Sequence, residues 1–134
     1  VIMKMLDRLD QGLSPLVYGD GSQAYDFIYV TDIARANICA MKSTATDQNY
    51  NVGSGVQTSI LDLTKMILKV TGSDQQIQYE PAGQTFVTNR IGDPRLAQED
   101  LGFTYSVELE EGLRRLIEWR RAHMELVEQR RKKA

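Results

Sequence analysis

Residues Tyr18–Ala40, YGDGSQAYDFIYVTDIARANICA, place a glycine-hinged turn, a strand and a small-residue helix in one short span. The apolar run Leu16-Val17-Tyr18 leads into it and reads as a strand, which Gly19-Asp20-Gly21 ends with a tight turn. Asp26-Phe27-Ile28-Tyr29-Val30 is rich in aromatic and β-branched side chains and predicts a second, buried strand. Thr31-Asp32 then reads as the cap of a helix beginning at Ile33, whose Ala34, Ala36 and Ala40 permit close packing. Taken alone, these residues specify strand, turn, strand and helix, and no chemistry.

Working outward, Val1, Ile2, Met5, Leu6 and Leu9 recur at helical spacing at the start of the chain. Tyr50-Asn51-Val52 reads as a short strand running into Gly53-Ser54-Gly55. Ser59, with Asp62 three residues on, approximates a capping box for a helix that buries Ile60, Leu63, Ile67 and Val70 and stops at Gly72. Ile77 and Tyr79 alternate with glutamines, as in a half-exposed strand. Asp93-Pro94 predicts the start of a short helix with Leu96, Ala97 and Leu101 inward and Gly102 as its stop. A last helix is expected after Ser106, with Glu108, Glu110 and Glu111 near its start and basic residues toward its end.

Length and composition set bounds. At 134 residues the chain is one domain in size. Hydrophobic and charged contents of 42% and 25% are ordinary for a globular protein, and a net charge of −2 gives no global pull toward nucleic acid or membranes. No apolar run approaches the roughly 20 residues that span a bilayer. The single cysteine, Cys39, excludes an internal disulfide and reads as a small buried apolar residue, in keeping with a cytoplasmic setting. The opening helix has no cap and no lead-in, which suggests a piece of a longer protein.

The order of these motifs resembles the carboxyl-terminal half of the extended short-chain dehydrogenase/reductase family, the NAD-dependent epimerases and dehydratases of nucleotide sugars. That family shows V-x-G-x-G-x-Q-x-R-D-F-x-x-V-x-D before an alanine-rich helix, here Val17 through Asp32. Tyr50–Gly55 and Ser59–Leu63 are similar to its next turn and helix. Asp93–Ala97 with Leu101-Gly102-Phe103, and Glu110-Glu111-Gly112-Leu113 with Trp119, resemble its closing elements. One position departs: the family's arginine before the aspartate is Tyr25.

The resemblance implies an α/β fold: the substrate-binding portion of a Rossmann-type enzyme, with short strands and about five helices. Residues 1–134 would form the substrate-binding half, with about 31–52 on the cofactor-domain side, and the amino-terminal domain that binds NAD would lie outside this chain. The family's catalytic Y-x-x-x-K pair, in which the lysine lowers the tyrosine pKa, is not in the sequence. The chain alone is therefore expected to be inactive. The whole protein would be an enzyme, most closely a UDP-sugar 4-epimerase acting through a transient 4-keto intermediate. A 4,6-dehydratase, a reductase and a non-catalytic sugar-nucleotide-binding module are the alternatives. A homodimer without nucleic-acid or membrane partners is implied as well.

Implied substrate contacts are Leu16, Val17, Tyr18, Gln23, Tyr25, Phe27 and Arg90. Tyr18 offers a face for base stacking, while Gln23 and Tyr25 stand where the family reaches the diphosphate. A tyrosine hydroxyl replaces a bidentate, charged guanidinium there, a loss of about 1–3 kcal/mol. A second family arginine is missing from Gly83-Gln84-Thr85-Phe86, leaving Arg90 as the stand-in.

Other candidates carry less. Gly19-x-Gly21-x-x-Ala24 fits a dinucleotide fingerprint formally, but that site needs a helix directly after the glycines and a strand is expected. Gly53-Ser54-Gly55 reads as a plain turn, with a substrate-lining loop as the alternative. Asp26 and Asp32 read as backbone caps rather than a catalytic pair. His123 has only Glu125 and Glu128 at ligand-like spacing, on a charged helix, which reads as solvated surface rather than a metal site. From Arg114 onward eight basic residues face three glutamates, which reads as a solvated helix end rather than an anion-binding surface.

Overall fold

The computed structural model describes residues 1–82 and 88–133. The stretch Gly83–Phe86 singled out above lies outside them. Among the described residues, six helices and five short strands follow in the order α1 (Ile2–Asp10), β1 (Leu16–Tyr18), β2 (Ala24–Tyr25), α2 (Val30–Lys42), β3 (Thr58–Ser59), α3 (Ile60–Thr71), β4 (Gln78–Glu80), β5 (Asn89–Arg90), α4 (Arg95–Leu101), α5 (Leu109–Ala122) and α6 (Met124–Lys133). β1 pairs in parallel with β4. β2 is the centre of a second sheet, antiparallel to β3 and parallel to β5. The chain is thus α/β with short strands, as its motif order implies.

The apolar stripes meet in two cores. Met5 and Leu6 of α1, Val17 of β1, Ile60, Leu63 and Ile67 of α3, and Leu113 and Ile117 of α5 form the larger. Burying each such side chain contributes about 1.5–3 kcal/mol. Ala36, Ala97 and Phe103 form the smaller, with the half-buried Cys39 against it. α3 has the ends expected of it. The Ser59 hydroxyl accepts the Asp62 amide at 3.0 Å and donates to the Asp62 carboxylate at 2.6 Å. Gly72 closes the helix in the left-handed region.

Four local expectations are corrected. The stretch from Asp26 to Val30 is not a strand: β2 ends at Tyr25, where the Asp26 amide makes the last bond, to the Arg90 carbonyl at 3.1 Å. α2 then begins at Val30, so Asp32 lies inside its first turn and caps nothing there. Tyr50–Val52 forms no strand, and Tyr50 and Val52 instead pack side-on against the smaller core. In α4, Leu96 faces out while Ala97 is fully buried, because Ala97 and Leu101, four residues apart, form the face that packs on the smaller core; Asp93 takes the Arg95 amide at 3.1 Å just ahead of the helix.

A fifth correction concerns the tail. One long solvated helix is replaced by two, α5 and α6, broken at His123. There the imidazole Nδ1–H donates to the Trp119 carbonyl at 2.8 Å and the ring stacks on Trp119. α6 folds back against α1, burying Val127. Arg120, 3% exposed, donates to Asp7 at 2.9 Å and Asp10 at 2.6 Å. Arg131 bonds the same two carboxylates at 2.9 and 2.5 Å, and Arg130 joins Asp7. Three of the eight basic residues are thus held by α1, while Arg114 and Arg115 pair with Glu110 and Glu111 of their own helix and Arg121 faces solvent. Among the described residues no helix is long and apolar enough to cross a membrane.

Candidate functional site

Period-two alternation decides what the first strand presents. Val17 is wholly buried in the larger core, so Leu16 and Tyr18 point the other way, into a cavity of about 840 Å³. That volume lies within the range of about 300–1,000 Å³ usual for small-molecule sites. Ala24 is likewise buried, which turns Tyr25 to the cavity. Phe27 completes an aromatic wall, its ring 6.2 Å from that of Tyr25 and tilted by 60°. Gln23 sits at the turn and also lines the space.

Five of the seven expected contacts (Leu16, Tyr18, Gln23, Tyr25 and Phe27) therefore share one cavity. Two do not. The Val17 side chain belongs to the core. Arg90 is exposed on β5, in register with Tyr25, and lies outside the lining.

The opposite wall is α1, whose apolar stripe alone gives no sign of this role. Lys4, Asp7 and Arg8 line the cavity from there, and Asp26 joins them from the end of β2. The available signal was the four-residue spacing of Lys4 and Arg8, which puts two cations on one helix face. Arg8 is held in place: Nε donates to the Ser14 carbonyl at 2.6 Å and Nη2 to Gln78 Oε1 at 3.2 Å. Burial raises the Asp7 carboxyl pKa, but hydrogen bonds from Arg130, Arg120 and Arg131 outweigh it and hold it at about 2.

Asp26 and Asp32 do bind backbone amides, but those of distant loops. Asp26 accepts from the Ser54 amide at 3.0 Å, the Ser54 hydroxyl at 2.5 Å and the Gly55 amide at 2.8 Å. Gly53–Gly55 is therefore an anchored turn that stands away from the cavity lining. Asp32 holds Ser106 and Val107.

A sequence profile described as the NAD dependent epimerase/dehydratase family matches residues 1–53. The dTDP-4-dehydro-6-deoxy-D-allose reductase of Streptomyces bikiniensis is 33% identical over 92% of this chain and 37% of its own length. The Thermotoga maritima UDP-glucose 4-epimerase, solved with UDP-glucose, superposes with a TM-score of 0.81 at 33% identity, over 92% of this chain and 38% of that one. A UDP-N-acetylglucosamine 4-epimerase of Methanobrevibacter ruminantium, solved with UDP-N-acetylmuramic acid, gives 0.79 at 34% identity, over 89% and 38%. Further relatives are named as dehydratases and decarboxylases. The chain spans 37–38% of the length of the first curated relatives it matches.

The glycine turn does not fit the dinucleotide of that family. Gly19 and Gly21 have φ of +67° and +75° and lead into β2, so no helix N-terminus faces them. A Cβ at Gly21 would come within 2.8 Å of Val17 and 3.0 Å of Leu61, so this glycine serves close packing.

Proposed function

Because the chain belongs to the carboxyl-terminal part of the NAD-dependent epimerase/dehydratase family, we propose that its cavity holds a nucleotide sugar for an enzyme of that family. The observation that carries this is the cavity itself, with an aromatic wall of Tyr18, Tyr25 and Phe27 facing the cations of α1. A flat base stacks on such a wall, and an anionic linker suits such cations. Leu16 and Gln23 line the same space, and Arg90 stands beside Tyr25 at the edge of the sheet.

A UDP-sugar 4-epimerase is the first reading, supported by the two epimerase structures at 33% and 34% identity. The second is a dehydratase or reductase, supported by the Streptomyces reductase. Tyr25, where the family carries arginine, supports a third, in which the fold binds a sugar nucleotide without turning it over. In all three the residues of this chain hold and orient the ligand. Residues 31–52 face the cofactor domain in this proposal, in keeping with the exposed apolar side chains of Ile33, Ile38 and Met41 on α2.

Calorimetric titration of the intact protein with UDP-glucose, UDP-N-acetylglucosamine and dTDP-glucose tests the reading. Binding of at least one is expected, and binding of none overturns it. Proton NMR of the sugar after incubation then separates inversion at C4 from elimination or no change.

A further inference from the structure

We propose that Lys4 and Arg8 of α1 are the cations that take the diphosphate in this chain, replacing the arginine that Tyr25 displaces. The inference rests on the reading that the cavity accepts a nucleotide sugar. It goes further by placing the charge recognition on a helix rather than on the sheet.

Charge accounting inside the cavity carries the argument. Four charged side chains line it: Lys4, Arg8, Asp7 and Asp26. The two carboxylates are already engaged by the protein. Asp7 is shared among Arg120, Arg130 and Arg131, whose combined charge exceeds its own. Asp26 is turned onto the three donors of Ser54 and Gly55. The two cations are not so engaged. Among the described residues neither Lys4 nor Arg8 has a carboxylate within ion-pair distance, and residues 83–87, outside the description, contain no acidic side chain. Arg8 bonds only neutral oxygens, from Ser14 and Gln78. Asp26 keeps its negative charge, because its donors are neutral, so with Asp7 neutralised by the tail arginines two cations stand against one anion and the cavity stays net positive.

Geometry agrees with that balance. Lys4 and Arg8 lie one turn apart, about 6 Å along the helix axis, so adjacent phosphates can meet both. The bonds to Ser14 and Gln78 fix the Arg8 guanidinium before any ligand arrives, which lowers the ordering cost of binding. Tyr18, Tyr25 and Phe27 face the same space, so base and diphosphate can be held at once. Arg90, outside the lining, has no comparable position.

The test compares uridine, UMP and UDP by calorimetry on the intact protein, with wild type, Lys4→Gln, Arg8→Gln and, as control, Lys65→Gln on the exposed face of α3. Each cavity variant is expected to weaken UDP roughly tenfold, the effect of about one charge-assisted hydrogen bond, and to flatten its salt dependence. Uridine affinity should stay unchanged, and Lys4→Arg should restore UDP binding. Lys4 makes no hydrogen bond among the described residues, so Lys4→Gln leaves the fold intact even if Arg8→Gln does not. Wild-type affinity for UDP in Lys4→Gln, with uridine and UDP both bound by the unaltered protein, overturns this assignment alone. Failure of the unaltered protein to bind any of the three overturns it together with the nucleotide reading.

Discussion

The carboxylate of Asp32 accepts the amide proton of Ser106 at 3.0 Å, so the first turn of α2 holds the backbone that leads into α5. The same carboxylate takes the Val107 amide at 3.0 Å, the Ser106 hydroxyl at 2.8 Å and Arg35 at 2.6 Å. With 1% exposure, it has no water to fall back on. Asp32→Ala leaves those donors without their acceptor and is expected to cost about 3–5 kcal/mol, as for breaking a buried charged cluster. Urea unfolding of the intact protein reads this as a lowered midpoint at unchanged slope.

Gly53 is a steric requirement of a different kind. A Cβ built on it would collide with the Asp26 carboxylate, whose Cγ would lie only 3.2 Å away. Gly53→Ala must therefore displace either the turn or the carboxylate that secures Ser54 and Gly55. The expected loss is about 1–3 kcal/mol. Faster hydrogen exchange at the Ser54 and Gly55 amides would separate this loss from a general softening.

Elements built from neighbouring residues could be read in advance. The Ser59 cap with the Gly72 stop defines α3, and Leu16–Tyr18 is a strand. What could not be read depends on partners far along the chain. Asp26 resembles a turn residue until Ser54 is seen beside it, 28 positions away. The basic tail resembles a solvated helix until Arg120 meets Asp7, 113 positions away. The cavity shows the same division. Its sheet-side residues belong to a recognisable motif, whereas Lys4 and Arg8 become candidates only when α1 packs across from Tyr25.

Acid should loosen the α1 wall of the cavity. The Asp7 carboxyl is held at about 2 in the folded protein, against an ordinary value near 3.9 when unfolded. A depressed carboxylate pKa contributes stability that is present above the unfolded value and is lost as pH falls through the folded one. The Asp7 contribution, about 2 kcal/mol, should therefore disappear mainly between pH 4 and pH 2. Asp32 acts in the same direction: burial raises its pKa, but Arg35 and the Ser106 and Val107 donors outweigh that and hold it below the usual carboxylate range. Asp7→Asn should be less stable than the unaltered protein at pH 7 and converge with it near pH 2. Parallel pH profiles for the two proteins would show that Asp7 contributes nothing to the acid sensitivity of the fold.

An exposed stripe on α2 leads to the last prediction. Ile33, Ile38 and Met41 recur at helical spacing, with Met41 84% exposed, while Asp32 and Ala36 bury the other face. Apolar side chains in such a row are costly to leave in water and bring surfaces together. A chain of these 134 residues is expected to self-associate through this face, and Ile38→Glu with Met41→Glu should return it to a monomer. Both substituted positions already face solvent, so the cores are untouched and the helical circular dichroism should be unchanged. Sedimentation velocity over a range of concentrations gives the answer. A wild-type chain that stays monomeric at every concentration would mean that the stripe is too small to drive association on its own.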